Sequence, residues 1–309
     1  MNTNQSKIKT LYKRIRLALL RRTAIFFKSD EKFLKKLFKV RMGKELNLEN
    51  PTTFSEKLQW LKIHNRHPQQ TIMVDKVWAK EYVAKIIGEQ YIIPTLAVYD
   101  KPENIDFDAL PNQFVLKCTH DSGGIVICKD KSKLNYKEVR NKFKKWLKTN
   151  YYYQNREWPY KDVKPRIIAE LYMEDESNEE LKDFKIFCFN GVPKYCQVIA
   201  GRKSMMTIDF YDKNWVHQDF HEPRIYPFSL TGHKAPLNYD TMLDLATKLS
   251  DGQPFLRVDF YEINGKLFWG ELTFYPTSGM GGFSPDEWDY KFGSWITLPT
   301  EIHNDKQKY

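Results

Sequence analysis

The chain has 309 residues, 41% hydrophobic and 15% aromatic, with no low-complexity tract. That composition excludes a disordered protein and permits one large domain or two modest ones. The net charge of +10 sits at one end: residues 1–48 hold 14 Lys and Arg against 3 Asp and Glu, and the other 261 residues hold 35 against 36. A nucleic-acid binder carries its basic stripe on the folded body, interleaved with aromatics. This body has no such stripe, so nucleic acid is not expected as a partner.

Within the basic arm, Ile8, Leu11, Tyr12, Ile15, Ala18 and Leu19 recur at helical spacing, while Lys9, Lys13, Arg16 and Arg22 fall largely elsewhere on the wheel. The pattern predicts an amphipathic basic helix with two readings: it packs on the body, or residues 1–36 meet an anionic membrane surface. No apolar run reaches the roughly 18 to 20 residues that span a bilayer. Arg21 and Arg22 interrupt "LALL", so a secretion signal is not expected. Cys118, Cys128, Cys188 and Cys196 lie in apolar, strand-like runs without a CxxC pair and read as reduced core residues. A cytoplasmic protein is expected, peripheral on the inner membrane face if the arm binds lipid.

After Asn50-Pro51, "TTFSEKLQWLKIHN" reads as a Thr/Ser cap and a helix with Phe54, Leu58 and Leu61 on one face, which puts a boundary near residue 49. A second helix is predicted over Thr71 to Ile87, closed by Gly88, and "YIIPTLAVYD" is a short strand region. "FVLKCTHDSGGIVICKD" (114–130) reads as strand, Gly-bearing loop and strand, followed by a charged helix from Tyr136 to Lys148. "PRIIAELYM" is a buried strand, and Asn190-Gly191 and Asn264-Gly265 each close a hairpin. Helices first, then mixed elements and late antiparallel hairpins, argue for an α+β fold rather than a doubly wound sheet.

Glycines in "HDSGG" suit an ordinary turn. Lys117, however, lies between apolar strand residues where a solvated charge is unexpected, beside Ser and Gly N–H groups of the kind that cradle phosphates. Both readings of the loop stand on local grounds. Farther on, Arg257 and Asp259 alternate on "LRVDF", and Glu271 and Thr273 alternate on "GELTF". Period two places each pair on one strand face, and the hairpin at Asn264-Gly265 brings the pairs together. Two carboxylates sharing a buried site repel unless a cation neutralises them, and oxygen ligands suit Mg²⁺.

"NPTTFSEKLQWLK", "DKVWAKEYV", "FVLKCTHDSGG", "EWPYKDVKPRIIAELYM", "DFKIFCFNG" and "RVDFYEINGKLFWGELTFYPTSGMGGF" follow one another in order over about residues 38–300. With these motifs the chain resembles the TupA-like ATP-grasp family, related to teichuronopeptide biosynthesis, within the ATP-grasp superfamily. The resemblance implies two α+β subdomains, about 100–170 and 171–300, that sandwich ATP within a catalytic domain over 49–300, flanked by the 1–48 arm and a 301–309 tail. It implies that Lys76 and Lys117 contact the ATP phosphates, Lys117 also near the adenine, and that Ser122, Gly123 and Gly124 belong to the loop closing over them. Glu170 and the backbone of Leu171, Tyr172 and Met173 would form the adenine hinge, Asp183 would reach the ribose, and Lys185 would add a phosphate contact. Asp259 and Glu271 would bind Mg²⁺, and Arg257 would stabilise the reacting groups. Thr273 stands where many ATP-grasp enzymes carry Asn. His120 is a further candidate donor.

The activity implied is a carboxylate–amine ligase acting through an acyl phosphate. Its acceptor would be a uronic acid of a cell-surface polysaccharide or lipid-linked precursor, its donor an amino acid or amino sugar. Two rivals stand beside it: a glycosyltransferase using the DxD pattern at Asp106 and Asp108, and a nucleotide-binding protein without turnover. His64 and His67 read as helix-end loop residues, and Tyr151 to Tyr153 with Trp158 and Tyr160 suit either sugar stacking or core packing.

Overall fold

The computed structural model describes residues 3–176, 181–202, 204–222 and 226–301, with side chains of the first helix from residue 11 onward. Ile8 and Lys9 of the expected amphipathic pattern, and the tail beyond residue 301, lie outside what is described. The first helix, α1 (Thr3–Arg22), leads through a 3-10 turn at Ala24–Phe26 to α2 (Asp30–Met42), which is capped by the Ser29 side chain and closed by Gly43 at φ +77°. Phe33, Leu34, Leu37, Phe38, Leu46 and Leu48 form a buried cluster with Ala24 and Met280, against Trp60 and Ile63 of the next helix. The body begins with α3 (Phe54–His64), whose Thr53 and Glu56 make a reciprocal capping box.

The continuous helix expected over Thr71–Ile87 is instead two, α4 (Pro68–Val74) and α5 (Trp78–Ile87). Asp75 breaks it: its Oδ1 accepts from the Val77 N–H at 2.9 Å, and its Oδ2 pairs with Arg166 at 2.9 Å. A short polar side chain that competes for backbone N–H groups ends one helix and caps the next. Lys76 thus sits in a gap rather than on a helix face, and its N–H donates to the Thr119 carbonyl at 3.3 Å.

Two antiparallel sheets follow. The smaller has the order β1-β4-β2-β3, from β1 (Thr95–Tyr99), β2 (Phe114–Cys118), β3 (Ile125–Cys128) and β4 (Ile167–Leu171). Phe114, Leu116 and Cys118 turn one face of β2 onto a core that includes Val139 and Phe143 of α6 (Tyr136–Trp146). Val115 and Lys117 turn the other way by the strand's period of two. A short helix, α7 (Tyr152–Asn155), precedes β4.

The larger sheet has the order β10-β9-β5-β6-β7-β8, from β5 (Asp183–Phe189), β6 (Val192–Ala200), β7 (Thr207–Asp212), β8 (His217–Gln218), β9 (Phe255–Ile263) and β10 (Lys266–Thr273). Asn190-Gly191 and Asn264-Gly265 all have positive φ, as two-residue hairpins require. Cys188 and its same-face neighbours meet α8 (Tyr239–Ser250), with Met242, Leu245, Ala246 and Leu249 in that core. The opposite face changes character along its length. Phe189 pairs with Phe255 and Phe187 with Arg257 in register, followed by Lys185 with Asp259. Its apolar end packs on Phe54 of α3 and Phe292 of α9 (Glu287–Trp295), with ring centroids 4.9 Å apart for Phe54–Phe255 and 5.3 Å for Phe189–Phe292. Its charged end is left for something else.

The four cysteines are all buried and free. Burial pushes the Cys118 thiol up to about 12, so it remains protonated at neutral pH.

Helix α9 reaches this core because residue 293 is glycine. A Cβ there would meet the Thr52 carbonyl oxygen at 2.2 Å and the Phe54 nitrogen at 2.7 Å. Gly293→Ala should push α9 off the α3 N-terminus and lower unfolding stability by about 1–3 kcal/mol, read as a reduced urea midpoint.

Candidate active site

The charged end of the large sheet and the inner face of the small sheet enclose one cleft. Lys76, Lys117, Ser122, Gly123, Gly124, Glu170, Asp183, Lys185, Asp259 and Glu271 all line it. These come from two sheets and a helix gap, so the fold gathers residues spread over almost 200 positions.

On the small sheet, Glu170 of β4 lies diagonally across from Lys117 of β2, on the same face. Lys117 Nζ meets Glu170 Oε2 at 2.6 Å, and Lys80 Nζ pairs with the other oxygen. Lys80 also donates to the Ile93 carbonyl at 2.7 Å. The loop after β2 is pulled tight: the Cys118 N–H donates to the Gly124 carbonyl at 2.7 Å, and the Gly124 N–H donates to Asp121 Oδ1 at 3.1 Å. The two glycines differ in purpose. A Cβ on Gly124 would strike Cys118 Sγ at 2.7 Å, whereas one on Gly123 would meet nothing within 4 Å. Gly124 is required by the close approach of Cys118, and Gly123 by its positive φ of +154°, with open space beside it. Lys76 Nζ donates to the Asp121 carbonyl and so ties the helix gap to this loop; burial holds its pKa below the ordinary lysine value.

On the large sheet, Asp259 and Glu271 are direct cross-strand partners, as are Arg257 and Thr273. Arg257 Nε donates to Asp259 Oδ1 at 2.7 Å, and its Nη2 donates to Asp259 Oδ2 at 2.7 Å, Glu271 Oε1 at 3.0 Å and Thr273 Oγ1 at 3.0 Å. Lys185 pairs with Asp259 from the other side. Glu271 opens its carboxylate to the cleft, its side chain 45% exposed. Burial would raise its pKa, but Lys185, Arg257 and Lys76 hold it down at about 2. It is an anion at every physiological pH.

Arg257 and Thr273 do not line the cleft but bond to residues that do. His120 does not reach it: the residue is buried, its Nε2 3.0 Å from the Thr149 carbonyl oxygen. Leu171 at the end of β4, and Tyr172 and Met173 after it, do not line the cleft; the Leu171 N–H donates to the Pro94 carbonyl at 3.0 Å, and Tyr172 is covered by Lys129, 5.2 Å from its ring centre. Asp106 lies elsewhere, closing a turn by accepting from the Asp108 and Ala109 N–H groups at 3.1 Å. Among the further lining residues, Lys80, Arg202 and Trp269 had no role assigned from the sequence, and Tyr160, read there as suiting either sugar stacking or core packing, faces the cleft. Lys80 was within reach, being one helical turn beyond Lys76 in "DKVWAK". Trp269 Nε1 is buried and lacks a hydrogen-bond partner among the described residues, which leaves a donor at the cleft wall.

The family model described as TupA-like ATP-grasp matches residues 56–297. The chain belongs to the TupA-like ATP-grasp family. Every cleft-lining residue named above falls within the matched segment, whereas α1 and α2 precede it. No curated protein sequence matches the chain. Among solved structures this ATP-grasp protein is similar to D-alanine–D-alanine ligase from Helicobacter pylori, at 12% identity over 80% of this chain and 68% of that one, TM-score 0.44. It is also similar to D-alanine–D-alanine ligase from Bacillus anthracis complexed with ATP, at 14% identity over 65% of this chain, TM-score 0.38. It spans 53% of that second protein's length.

Glu170 is the hub of the small-sheet half. Burial would raise its pKa, but Lys117 and Lys80 hold it below the ordinary carboxylate value. A carboxylate depressed by folding adds stability above its unfolded value, about 4.3, that is lost as pH falls through the folded value. Glu170→Gln should therefore lower stability by about 3 kcal/mol at neutral pH. The gap from wild type should narrow below about pH 4, as measured by urea unfolding across pH.

Proposed function

We propose that this ATP-grasp protein is an ATP-dependent carboxylate–amine ligase. The observation that carries the reading is the convergence of Lys76, Lys117 and Lys185 on a cleft that also holds the Asp259–Glu271 pair, with Arg257 bonded to both carboxylates. Fixed cations beside two carboxylates are what a polyphosphate bound with a divalent ion needs. A single cation site of this kind takes one or two carboxylates, completing its oxygen shell from phosphates and water. Asp259, Glu271 and the Thr273 hydroxyl are hard oxygen donors and fit Mg²⁺, which when bound would neutralise phosphate charge.

In the proposed reaction a carboxylate oxygen of the acceptor attacks the γ-phosphorus of ATP. The P–O bond to the β-phosphate breaks, and ADP leaves with that electron pair. The acyl phosphate so formed is attacked at carbon by an amine; the C–N bond forms, the C–O bond to phosphate breaks, and the amine proton passes to solvent. Lys76 and Lys117 bind and orient the phosphates, with Ser122 and Gly123 presenting the open edge of the loop. Lys185 leaves Asp259 to meet the phosphates, and Arg257 holds the carboxylates in place and offsets negative charge developing in transfer. Preorganised charge and positioning supply the rate, since no protein nucleophile is required. Glu170 would face the adenine and Asp183 the ribose, both from the cleft wall.

The acceptor proposed is a uronic-acid carboxylate of a cell-surface polysaccharide or lipid-linked precursor, and the donor an amino acid or amino sugar, in the cytoplasm. Calorimetry should show binding of MgATP and none of UDP-sugars; the reverse would favour a glycosyltransferase. Multiple-turnover ADP release should require a uronic-acid acceptor together with an amine, and Asp259→Asn should lower it by roughly 100-fold or more. Nucleotide binding without acceptor-dependent ADP release would point to a protein that binds but does not turn over.

A further inference from the structure

Helix α1 meets the body by a face other than its most apolar one. Leu17 and Leu20 are the half-buried residues that pack toward Ala24, Phe33 and Leu37. On a helical wheel they lie opposite a stripe made by Leu11, Tyr12, Ile15 and Leu19. That stripe is 50–62% exposed. Beyond the helix, the 3-10 turn buries Ala24 and exposes its other two residues, Ile25 at 62% and Phe26 at 79%.

The turn is firmly held from below. Arg156, 1% exposed, donates to the Ala24 carbonyl at 2.6 Å and the Phe27 carbonyl at 3.1 Å, pairs with Asp30 at 3.0 Å, and lies 4.6 Å from the Phe33 ring centre. Two large apolar side chains are thus fixed outward on a braced turn. A structural cap would turn them in.

Charge selects the occupant. α1 carries seven Lys and Arg and no Asp or Glu. Arg16 flanks the stripe on one side, packed over Tyr12 at 5.6 Å, Arg14 and Arg21 flank it on the other, and Arg22 ends it at the C-terminal turn. A second copy of the chain would oppose seven cations with seven, and a nucleic acid gives six apolar residues nothing to bury in. An apolar stripe bordered by cations matches the boundary between acyl chains and anionic headgroups.

We propose that α1 and the Ala24–Phe26 turn form a docking surface for an anionic lipid bilayer. Leu11, Tyr12, Ile15, Leu19, Ile25 and Phe26 insert at the acyl boundary, and the arginines meet the headgroups. Arg156 couples the inserted turn rigidly to the body, so docking sets the orientation of the cleft to the membrane. The proposal rests on this surface alone and not on the ligase reading, and its test involves neither ATP nor acceptor.

The test is flotation of the full chain with phosphatidylcholine vesicles and with vesicles that also contain phosphatidylglycerol. Binding is expected to the anionic vesicles alone. It should weaken at least about tenfold when salt rises from roughly 0.1 M to roughly 1 M, which shortens the screening length from about 10 Å to about 3 Å. Ile15→Asp/Phe26→Asp should abolish it, with the melting temperature unchanged because both positions are exposed. Absence of binding, equal binding to both vesicles, or anionic binding that survives the double variant would overturn the proposal. A dimer in vesicle-free buffer that the double variant dissociates would assign the surface to a second copy instead.

Discussion

Asp259 is 2% exposed in the middle of a six-stranded sheet, and the cleft depends on how its charge is tolerated there. Burying a lone carboxylate costs several kcal/mol. Here Arg257 grips both of its oxygens from two residues away on the same strand, while Lys185 pairs with it from the neighbouring strand in register. Because Arg257 also reaches Glu271 and Thr273, one guanidinium holds three other side chains of two strands in a single geometry. A planar fork with five donors can do this, and a lysine could not. Removing the arginine would leave a carboxylate in the sheet with half its counter-charge, so the constellation stands or falls together.

That charge is affordable because of what lies along the same sheet face. Phe187, Phe189 and Phe255 continue it into a tightly packed aromatic core with Phe54 and Phe292, fixing the strands on which Arg257 and Asp259 stand. The apolar end provides rigidity and the charged end chemistry. The second half of the cleft is joined to the first through the α4–α5 break. Asp75 holds Arg166, the Lys76 N–H meets Thr119, and the Lys76 ammonium reaches the loop after β2. The base of the glycine loop is thereby bonded to the helical layer rather than hanging from its own two strands.

Much of this was legible in the sequence because strand alternation and Asn-Gly turns are local rules. Arg257, Asp259, Glu271 and Thr273 could be set on one face of a hairpin from spacing alone, and the structure pairs them in that register. The break at Asp75 was not legible, since "TIMVDKVWAKEYVAKII" keeps a helical pattern throughout and the interruption depends on Arg166, 91 residues away. His120 misled for a related reason: its neighbours in sequence line the cleft, but the Thr149 carbonyl draws its ring inward. Trp269 and Arg202 carry no local signal, because each reaches the cleft only through the packing of the large sheet.

The sequence by itself determined the α+β class, the two hairpins, the concentration of positive charge in the arm and the identity of the charged pairs, all properties of residue order over a few positions. The tertiary structure decided why the loop needs each of its two glycines, where Lys76 points, and that Lys80 joins Lys117 on one carboxylate. It also decided which face of α1 is spent on the body. The wheel shows an apolar stripe whether that stripe packs or not, and only the position of α2 and Arg156 leaves it turned to solvent.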